Sequence, residues 1–99
     1  MNTLKQIAWA VRCQLGFNLA VLRGAGRHAR LAEARQVAYY LAYQQGYTYK
    51  EIAEYFNRDN STVWAGVDKI GRMHHLPANK LLGPLLDELE RISRKEVVR

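Results

Sequence analysis

The chain has 99 residues, of which 48% are hydrophobic, with a formal net charge of +6 and one cysteine. This hydrophobic share excludes a disordered tail, the single cysteine excludes an internal disulfide, and no apolar run approaches the roughly eighteen residues of a membrane span. With a start that makes a poor signal peptide, we expect one cytoplasmic domain, residues 1–99. Cys13 lies among apolar helical positions and is predicted to be a small core residue.

Positive charge is concentrated in the first third of the chain. Residues 1–35 carry six lysines and arginines against Glu33 alone, whereas residues 48–72 carry four basic and four acidic side chains. Clustering of this kind favours a nucleic-acid partner more strongly than the total charge does.

The first elements are predicted to be N-terminal helices over residues 3–22. Apolar residues recur at helical spacing from Leu4 to Leu15, Thr3 is a suitable N-cap, and Gly16 can end the helix in the left-handed conformation. Residues 23–31 contain two glycines and three arginines, which predicts a flexible basic loop.

Three more helical segments follow. A helix is expected over 32–45, and a pair of helices over 48–73, where Thr48 and Glu51 have the spacing of a capping box. Asn57 falls at the turn between the pair, where asparagine tolerates positive φ. A last amphipathic helix over 82–97 has a leucine stripe that must pack on the body or on a partner. With no strand-like alternation, the fold class is all-α.

Two short helices joined by a tight turn, the second with small polar outer residues, are typical of a DNA-binding helix-turn-helix. Asn60, Ser61 and Thr62 begin the second helix. Amides and hydroxyls at this position can bond to base edges in the major groove. The same residues also make a good helix cap, and the basic segment upstream is what favours the DNA interpretation.

The segments 34–42, 51–53, 56–63 and 69–70 also carry a family resemblance. They include Ala34-Arg35-Gln36 and Arg58-Asp59-Asn60-Ser61-Thr62-Val63. From about Leu4 to Ile92 the chain resembles the C-terminal DNA-binding domain of the bacterial replication initiator DnaA, whose fold is similar to that of the Trp repressor.

The resemblance implies a role for each matching position. Asp59, Asn60 and Ser61 would read bases in the major groove, and the Thr62 hydroxyl would contact either a base or the DNA backbone. Arg35 and Gln36 would grip the DNA backbone, Lys69 would contact phosphate and Lys50 would lie near the major groove. Arg27, with Arg23 and Arg30 as neighbouring candidates, would enter the minor groove. The full set predicted to contact double-stranded DNA is Arg23, Arg27, Arg30, Arg35, Gln36, Lys50, Arg58, Asp59, Asn60, Ser61, Thr62 and Lys69.

The chain departs from the family pattern at three positions. Asn60 replaces the usual histidine, Asn57 replaces a turn glycine, and Asp68 replaces a basic residue. Asp68 either faces a neighbouring cation or weakens the grip on phosphate. The target therefore need not be the initiator's own box. Trp64 is left open between DNA contact and packing.

Three functions remain open from the sequence: a transcription regulator, a replication-control factor that occupies initiator boxes, and a protein-interaction module that has lost DNA binding. No phosphate loop or nucleophile with a base is found, so we expect a detached DNA-reading module, not an enzyme, without cofactor. His74 and His75 lack further ligands at metal-binding spacing. We expect a nucleoid-associated protein, with a replication or transcription protein as a further candidate partner and with monomer or homodimer undecided.

Overall fold

The computed structural model describes residues 2–73 and 82–98, and these ranges contain helices and turns but no strand. The all-α prediction is confirmed. None of these helices is long and apolar enough to cross a lipid bilayer. In chain order they are α1 (Leu4–Leu15), α2 (Leu19–Arg23), α3 (Ala29–Gln44), α4 (Tyr49–Phe56), α5 (Asn60–Met73) and α6 (Leu82–Val98).

Helix α1 begins and ends at the predicted residues. The Thr3 hydroxyl accepts the N–H of Gln6 at 3.0 Å, and the Gln6 side-chain oxygen accepts the N–H of Thr3 at 2.8 Å. These two bonds form a capping box, which satisfies donors that the first turn leaves free. Gly16 ends the helix with φ 84°, a left-handed conformation that a side chain would resist.

Helix α3 begins at Ala29, earlier than the predicted start at residue 32. The imidazole Nδ1 of His28 accepts the N–H of Leu31 at 3.3 Å and caps this helix. Histidine is not among the usual N-cap residues, so the sequence pattern did not predict this cap. Upstream, α2 extends to Arg23, and the basic loop is therefore residues 24–28, shorter than the predicted 23–31.

Helix α3 is the central element of the core and contacts α1, α2, α4 and α5. The apolar residues at helical spacing in α3, α4 and α5 are buried. Their apolar side chains form one cluster with those of α1. The cluster fixes the two helices of the predicted helix-turn-helix against α3, and its members from the three inner faces are Ala34, Val37, Ala38, Leu41, Ala42, Ile52, Ala53, Phe56, Val63, Val67 and Ile70.

Helix α6 packs on the body of the molecule, against α1. Its Leu85 and Leu89 are buried, and the Asn2 side-chain amide donates to the Leu89 carbonyl at 3.2 Å. The Gln14 amide donates to the Glu88 carboxylate at 3.3 Å, so polar contacts reinforce the same interface. Leu85 and Leu89 of the leucine stripe therefore pack on the body of the molecule and not on a partner.

The prediction for Cys13 was wrong, because its side chain is exposed. Val11 is buried in the core, and a residue two positions further along a helix of 3.6 residues per turn lies on nearly the opposite side. Cys13 therefore belongs to the outer face of α1, beside Trp9 and Arg12, whose guanidinium lies 4.9 Å from the indole ring centroid.

The close packing of α5 on α3 depends on Gly66. A Cβ atom built at this position would lie 2.9 Å from Cδ2 of Tyr39 and 3.2 Å from Cγ of Gln36. Tyr39 is 1% exposed and packs edge-on against Phe56, so its ring has little room to move. Gly66 thus allows the second helix of the pair to lie directly on α3.

We expect Gly66→Ala to lower the free energy of unfolding by up to about 2 kcal/mol. Overpacking costs about 1–3 kcal/mol, and the gain of about 1 kcal/mol in helix propensity offsets part of this cost. Thermal unfolding should register a fall in Tm of about 4–8 °C per kcal/mol. The matched control is Gly71→Ala in the same helix, whose Cβ would meet Tyr40 at an ordinary 3.5 Å and should leave Tm unchanged or higher. A Gly66→Ala protein that melts at or above the wild-type temperature would contradict this account.

Candidate nucleic-acid interface

The turn between α4 and α5 is built as the sequence predicts. Thr48 and Glu51 form a capping box at the start of α4, with bonds of 2.9 and 3.1 Å. Asn57 ends α4 in the left-handed conformation, with φ 57° and ψ 52°, and the N–H of Arg58 closes the helix end on the Ala53 carbonyl at 2.9 Å. Asn57 thus adopts the positive φ that was predicted for it at the turn. Residues 57–59 alone join the helices, which is the connection of a helix-turn-helix.

The first turn of α5 presents the predicted reading residues to solvent. Asp59, Asn60, Ser61 and Thr62 are all exposed, and the helix starts with the bond from the Val63 N–H to the Asp59 carbonyl at 3.1 Å. Trp64 is 53% exposed, which removes the core-packing alternative. This face is small and polar at its start and has a large aromatic side chain one turn further on.

Arg35 is almost entirely buried, whereas its predicted role would need its guanidinium to be free for DNA. It is 7% exposed, and its guanidinium donates to the backbone carbonyls of Leu22 at 2.9 Å and Gly26 at 2.5 Å. A further nitrogen donates to Gly24 at 2.7 Å and Val21 at 3.2 Å. Burial lowers the pKa of this guanidinium, and the positive charge of Arg58 lowers it further. Its hydrogen bonds are directed into the protein, toward the end of α2 and the basic loop.

Arg58 binds part of the same stretch of backbone. Its guanidinium donates to the carbonyls of Arg23 at 3.3 Å and of Gly24, and within its own turn to Asn57 at 2.9 Å. Both guanidiniums therefore share the Gly24 carbonyl. We call Arg35 and Arg58 the guanidinium clamp; it joins α3, the basic loop and the turn that precedes α5.

The three other arginines of this region remain exposed. Arg23, Arg27 and Arg30 project from the end of α2, the basic loop and the first turn of α3. Because Arg58 is the residue directly before Asp59, its bonds to Arg23 and Gly24 bring the basic loop beside the start of α5. The exposed cations and the reading residues are therefore neighbours in the fold.

A surface groove of about 400 Å³ lies between the start of α3 and α5. Gln36, Thr62 and Lys69 line it, together with both members of the guanidinium clamp. Lys69 is exposed and Gln36 is half-buried, so both can reach a ligand in the groove. Lys50 is exposed in the first turn of α4, outside the groove. The groove offers an amide, a hydroxyl and an ammonium group, which are suitable donors for phosphate oxygen.

Asp68 faces a neighbouring cation. Its carboxylate lies 3.1 Å from Nε of Arg72, one turn along α5. On the same side of the molecule, the rings of Tyr43 and Tyr49 stack at 4.7 Å between centroids. The side-chain hydrogen bond with Tyr43 raises the pKa of the Tyr49 phenol, and partial desolvation and the charges of Tyr43 and Asp68 raise it further. The outer part of α5 is thus close to electrically neutral.

The sequence analysis predicted Arg35 and Arg58 as DNA contacts and did not foresee that their guanidiniums bind backbone carbonyls. The sequence held part of the signal, since the last carbonyls of α2 and those of a glycine loop need donors. It did not say which donors supply them, because Arg35 is 9 residues from Gly26 and Arg58 is 35 residues from Arg23 along the chain. In the described ranges, no group of three or more histidine, cysteine, aspartate or glutamate residues could hold a metal ion. His74 and His75 lie outside the described residues.

Comparison with known families gives an independent result. Residues 4–70, which include α1 to α5 up to Ile70, match the family model described as the helix-turn-helix of the bacterial dnaA protein. The predicted resemblance had extended to Ile92, but the match ends within α5 and leaves α6 outside. A search of the curated proteins finds no match. A helix-turn-helix of this family indicates DNA binding.

We expect Asn57→Ala to lower the free energy of unfolding by about 1 kcal/mol. A side chain other than glycine or asparagine resists the left-handed conformation by about 1–2 kcal/mol. The matched control is Asn57→Gly, which adopts this conformation freely and should stay within about 0.5 kcal/mol of the wild type. Urea unfolding of the three proteins measures both differences. Equal stabilities for the alanine and glycine variants would show that the backbone at residue 57 does not limit the turn.

Proposed function

We propose, because the chain belongs to the bacterial DnaA helix-turn-helix family, that it binds double-stranded DNA sequence-specifically and acts as a transcription regulator. Binding alone, without a catalytic step, is the proposed activity, and the nucleoid is where we expect it. One observation carries the proposal. The exposed polar first turn of α5 lies beside a loop whose arginines are also exposed.

In this proposal, the residues in the first turn of α5 contact the DNA bases. The major groove is about 12 Å wide and admits one α-helix, whose N-terminal residues come closest to the base edges. Asn60 can bond to adenine through both its amide oxygen and nitrogen, while Ser61 and Thr62 can approach several bases. Free N–H groups at the helix start add donors for a flanking phosphate.

Backbone contacts would come from the groove beside α5 and from the start of α4. Gln36, Thr62 and Lys69 line that groove, and Lys50 is exposed at the first turn of α4. We leave Arg35 out of the contact set, because its guanidinium makes four hydrogen bonds to backbone carbonyls. Arg58 also donates to backbone carbonyls, and we assign it a positioning role.

The exposed arginines would contact the flanking minor groove. A loop next to the recognition helix of a helix-turn-helix lies over the adjacent groove, where narrow A·T-rich segments have enhanced negative potential. Arg27 lies in the middle of the basic loop and is the proposed minor-groove residue. Arg23 and Arg30, at the ends of the adjoining helices, would contact phosphates on either side.

The target site should differ from that of the replication initiator. Asn60 stands where the family usually has histidine, and Asp68 is held by Arg72 where a basic residue is usual. Each altered base contact changes discrimination by about 1–3 kcal/mol. A different site is what a regulator of other promoters needs.

A second candidate is a replication-control factor that occupies initiator boxes. The family match over residues 4–70 favours it. Gel-shift competition separates the two functions. If a duplex with an initiator box competes as well as the best duplex selected from a random pool, the replication function is supported. If the box competes no better than random duplex, the regulator is supported.

Affinity for duplex DNA should rise steeply as salt falls. Three to four phosphate contacts predict a slope of about −3 for the logarithm of affinity against the logarithm of salt concentration. Between about 200 and 50 mM salt, affinity should therefore increase roughly 30–100-fold. Fluorescence anisotropy with a labelled duplex recovered from a random-sequence pool measures the slope, and the recovered sequences reveal any palindrome and hence a dimer. A flat response would replace both DNA functions with a protein-interaction module.

Asn60→Ala should reduce discrimination at one or two base pairs by about 1–3 kcal/mol and leave the affinity for random duplex nearly unchanged. The matched comparison is Lys69→Ala in the same helix. Because a phosphate contact carries no sequence information, this variant should bind all duplexes more weakly and lower the salt slope by about one. Anisotropy on the selected duplex and its single-base variants distinguishes the two patterns. Uniform weakening by Asn60→Ala would reassign Asn60 to the DNA backbone.

A further inference from the structure

We propose that the guanidinium clamp is a positioning device, through which Arg35 and Arg58 hold the backbone of the basic loop so that Arg27 is aimed at the minor groove. This inference rests on the proposed function and deepens it. Neither arginine of the clamp needs to touch DNA for this role. Both were expected from the sequence to be contact residues, and their geometry is what changes their assignment.

The clamp satisfies backbone acceptors that no helix satisfies. The last carbonyls of a helix have no partner within it, and α2 ends at Arg23. Arg35 donates to the carbonyl of Leu22 and to that of Val21, which also accepts the Gly24 N–H at 3.2 Å, and Arg58 donates to the carbonyl of Arg23. Both continue into the loop at Gly24. The end of α2 and the start of the loop are therefore bound to α3 and to the turn before α5 at once.

The backbone at Arg27 is fixed on both sides. The Gly26 carbonyl, directly before it, accepts a hydrogen bond of 2.5 Å from Arg35. His28, directly after it, caps α3 through the Leu31 N–H at 3.3 Å. The Arg27 side chain itself is exposed, and no hydrogen bond or ion pair holds it within the described ranges. A free side chain on a fixed backbone loses less conformational entropy on binding than one on a mobile loop.

The arrangement requires the planar fork of arginine. Each guanidinium spans several carbonyls at once, with donors pointing in different directions. A lysine retains the positive charge but presents a single ammonium group, which cannot bridge the carbonyls of the loop and those of the turn in the same way. Arg58→Lys therefore separates the charge of the residue from its bridging geometry. Arg58 is half-buried, so this variant is easier to accommodate than a change at the buried Arg35.

A double-mutant cycle between Arg58→Lys and Arg27→Ala tests the proposal. The probe is the duplex recovered from a random-sequence pool with the wild-type protein, and all proteins are compared at a temperature where circular dichroism finds them folded. We expect each single variant to weaken binding about tenfold and the double variant to bind no worse than about tenfold to thirtyfold below wild type. Once Arg27 is replaced by alanine, the clamp has no minor-groove side chain left to position, so its loss should weaken binding little further.

The matched control is the cycle between Lys69→Ala and Arg27→Ala. Lys69 lines the same groove but takes no part in the clamp. The double variant should lose affinity by about the product of the two single losses, because the contacts of Lys69 and Arg27 are independent. A residue that only stabilises the fold, or only contacts phosphate, would also multiply with Arg27→Ala. The non-multiplicative result is therefore specific to positioning.

NMR order parameters of the free protein supply a readout that needs no DNA. Arg58→Lys should lower the backbone order parameters of residues 24–28, while those in α1 stay at their wild-type values. The proposal is overturned if Arg58→Lys binds as tightly as wild type, if its loss multiplies with that of Arg27→Ala, or if the order parameters of the loop are unchanged. If the wild-type protein shows no salt-dependent binding to any duplex, the proposed function fails instead. If the wild-type protein binds DNA but the losses of Arg58→Lys and Arg27→Ala multiply, only the positioning role of the clamp is rejected.

Discussion

Unsatisfied backbone carbonyls at the end of α2 are the constraint on which the interface depends. A five-residue helix followed by a glycine loop leaves several acceptors without partners, and buried carbonyls need donors. Two guanidiniums supply those donors, one from α3 and one from the turn before α5. Since both bind the Gly24 carbonyl, like charges are brought close together, and the carbonyl dipoles between them offset the repulsion.

This use of arginine changes the meaning of the net charge. The formal charge of +6 counts Arg35 and Arg58 as if they were available to a partner. Arg35 is buried and bonded to backbone, and Arg72 is paired with Asp68. The positive charge offered to DNA is therefore smaller and more localised than composition indicates, and it is concentrated on the exposed arginines around the basic loop. Arginine therefore serves two different functions here: some arginines hold a loop, and others are available to bind phosphate.

Local signals in the sequence predicted the helices well, because each one acts over three or four residues. The capping boxes at Thr3 and Thr48, the left-handed Gly16 and Asn57, and the apolar stripes all specify structure within one turn of the chain. What could not be predicted depends on contacts between elements. The His28 cap is an unusual residue type, and the outward position of Cys13 depends on which face of α1 meets the core. The direction of Arg35 depends on a loop that approaches it only in the folded chain.

In the proposed complex, α5 and the basic loop would divide the work of binding between them. Arg72 is paired with Asp68, so α5 would contribute little non-specific attraction and its contacts with bases could dominate the choice between sequences. The loop would supply attraction that is nearly independent of sequence, but its effect would depend on where its backbone is held. Because Arg58 ties that loop to the residue directly before Asp59, the two activities would keep one register along the DNA. Specificity would then depend on the geometry between two weak binding elements, neither of which needs a large surplus of charge.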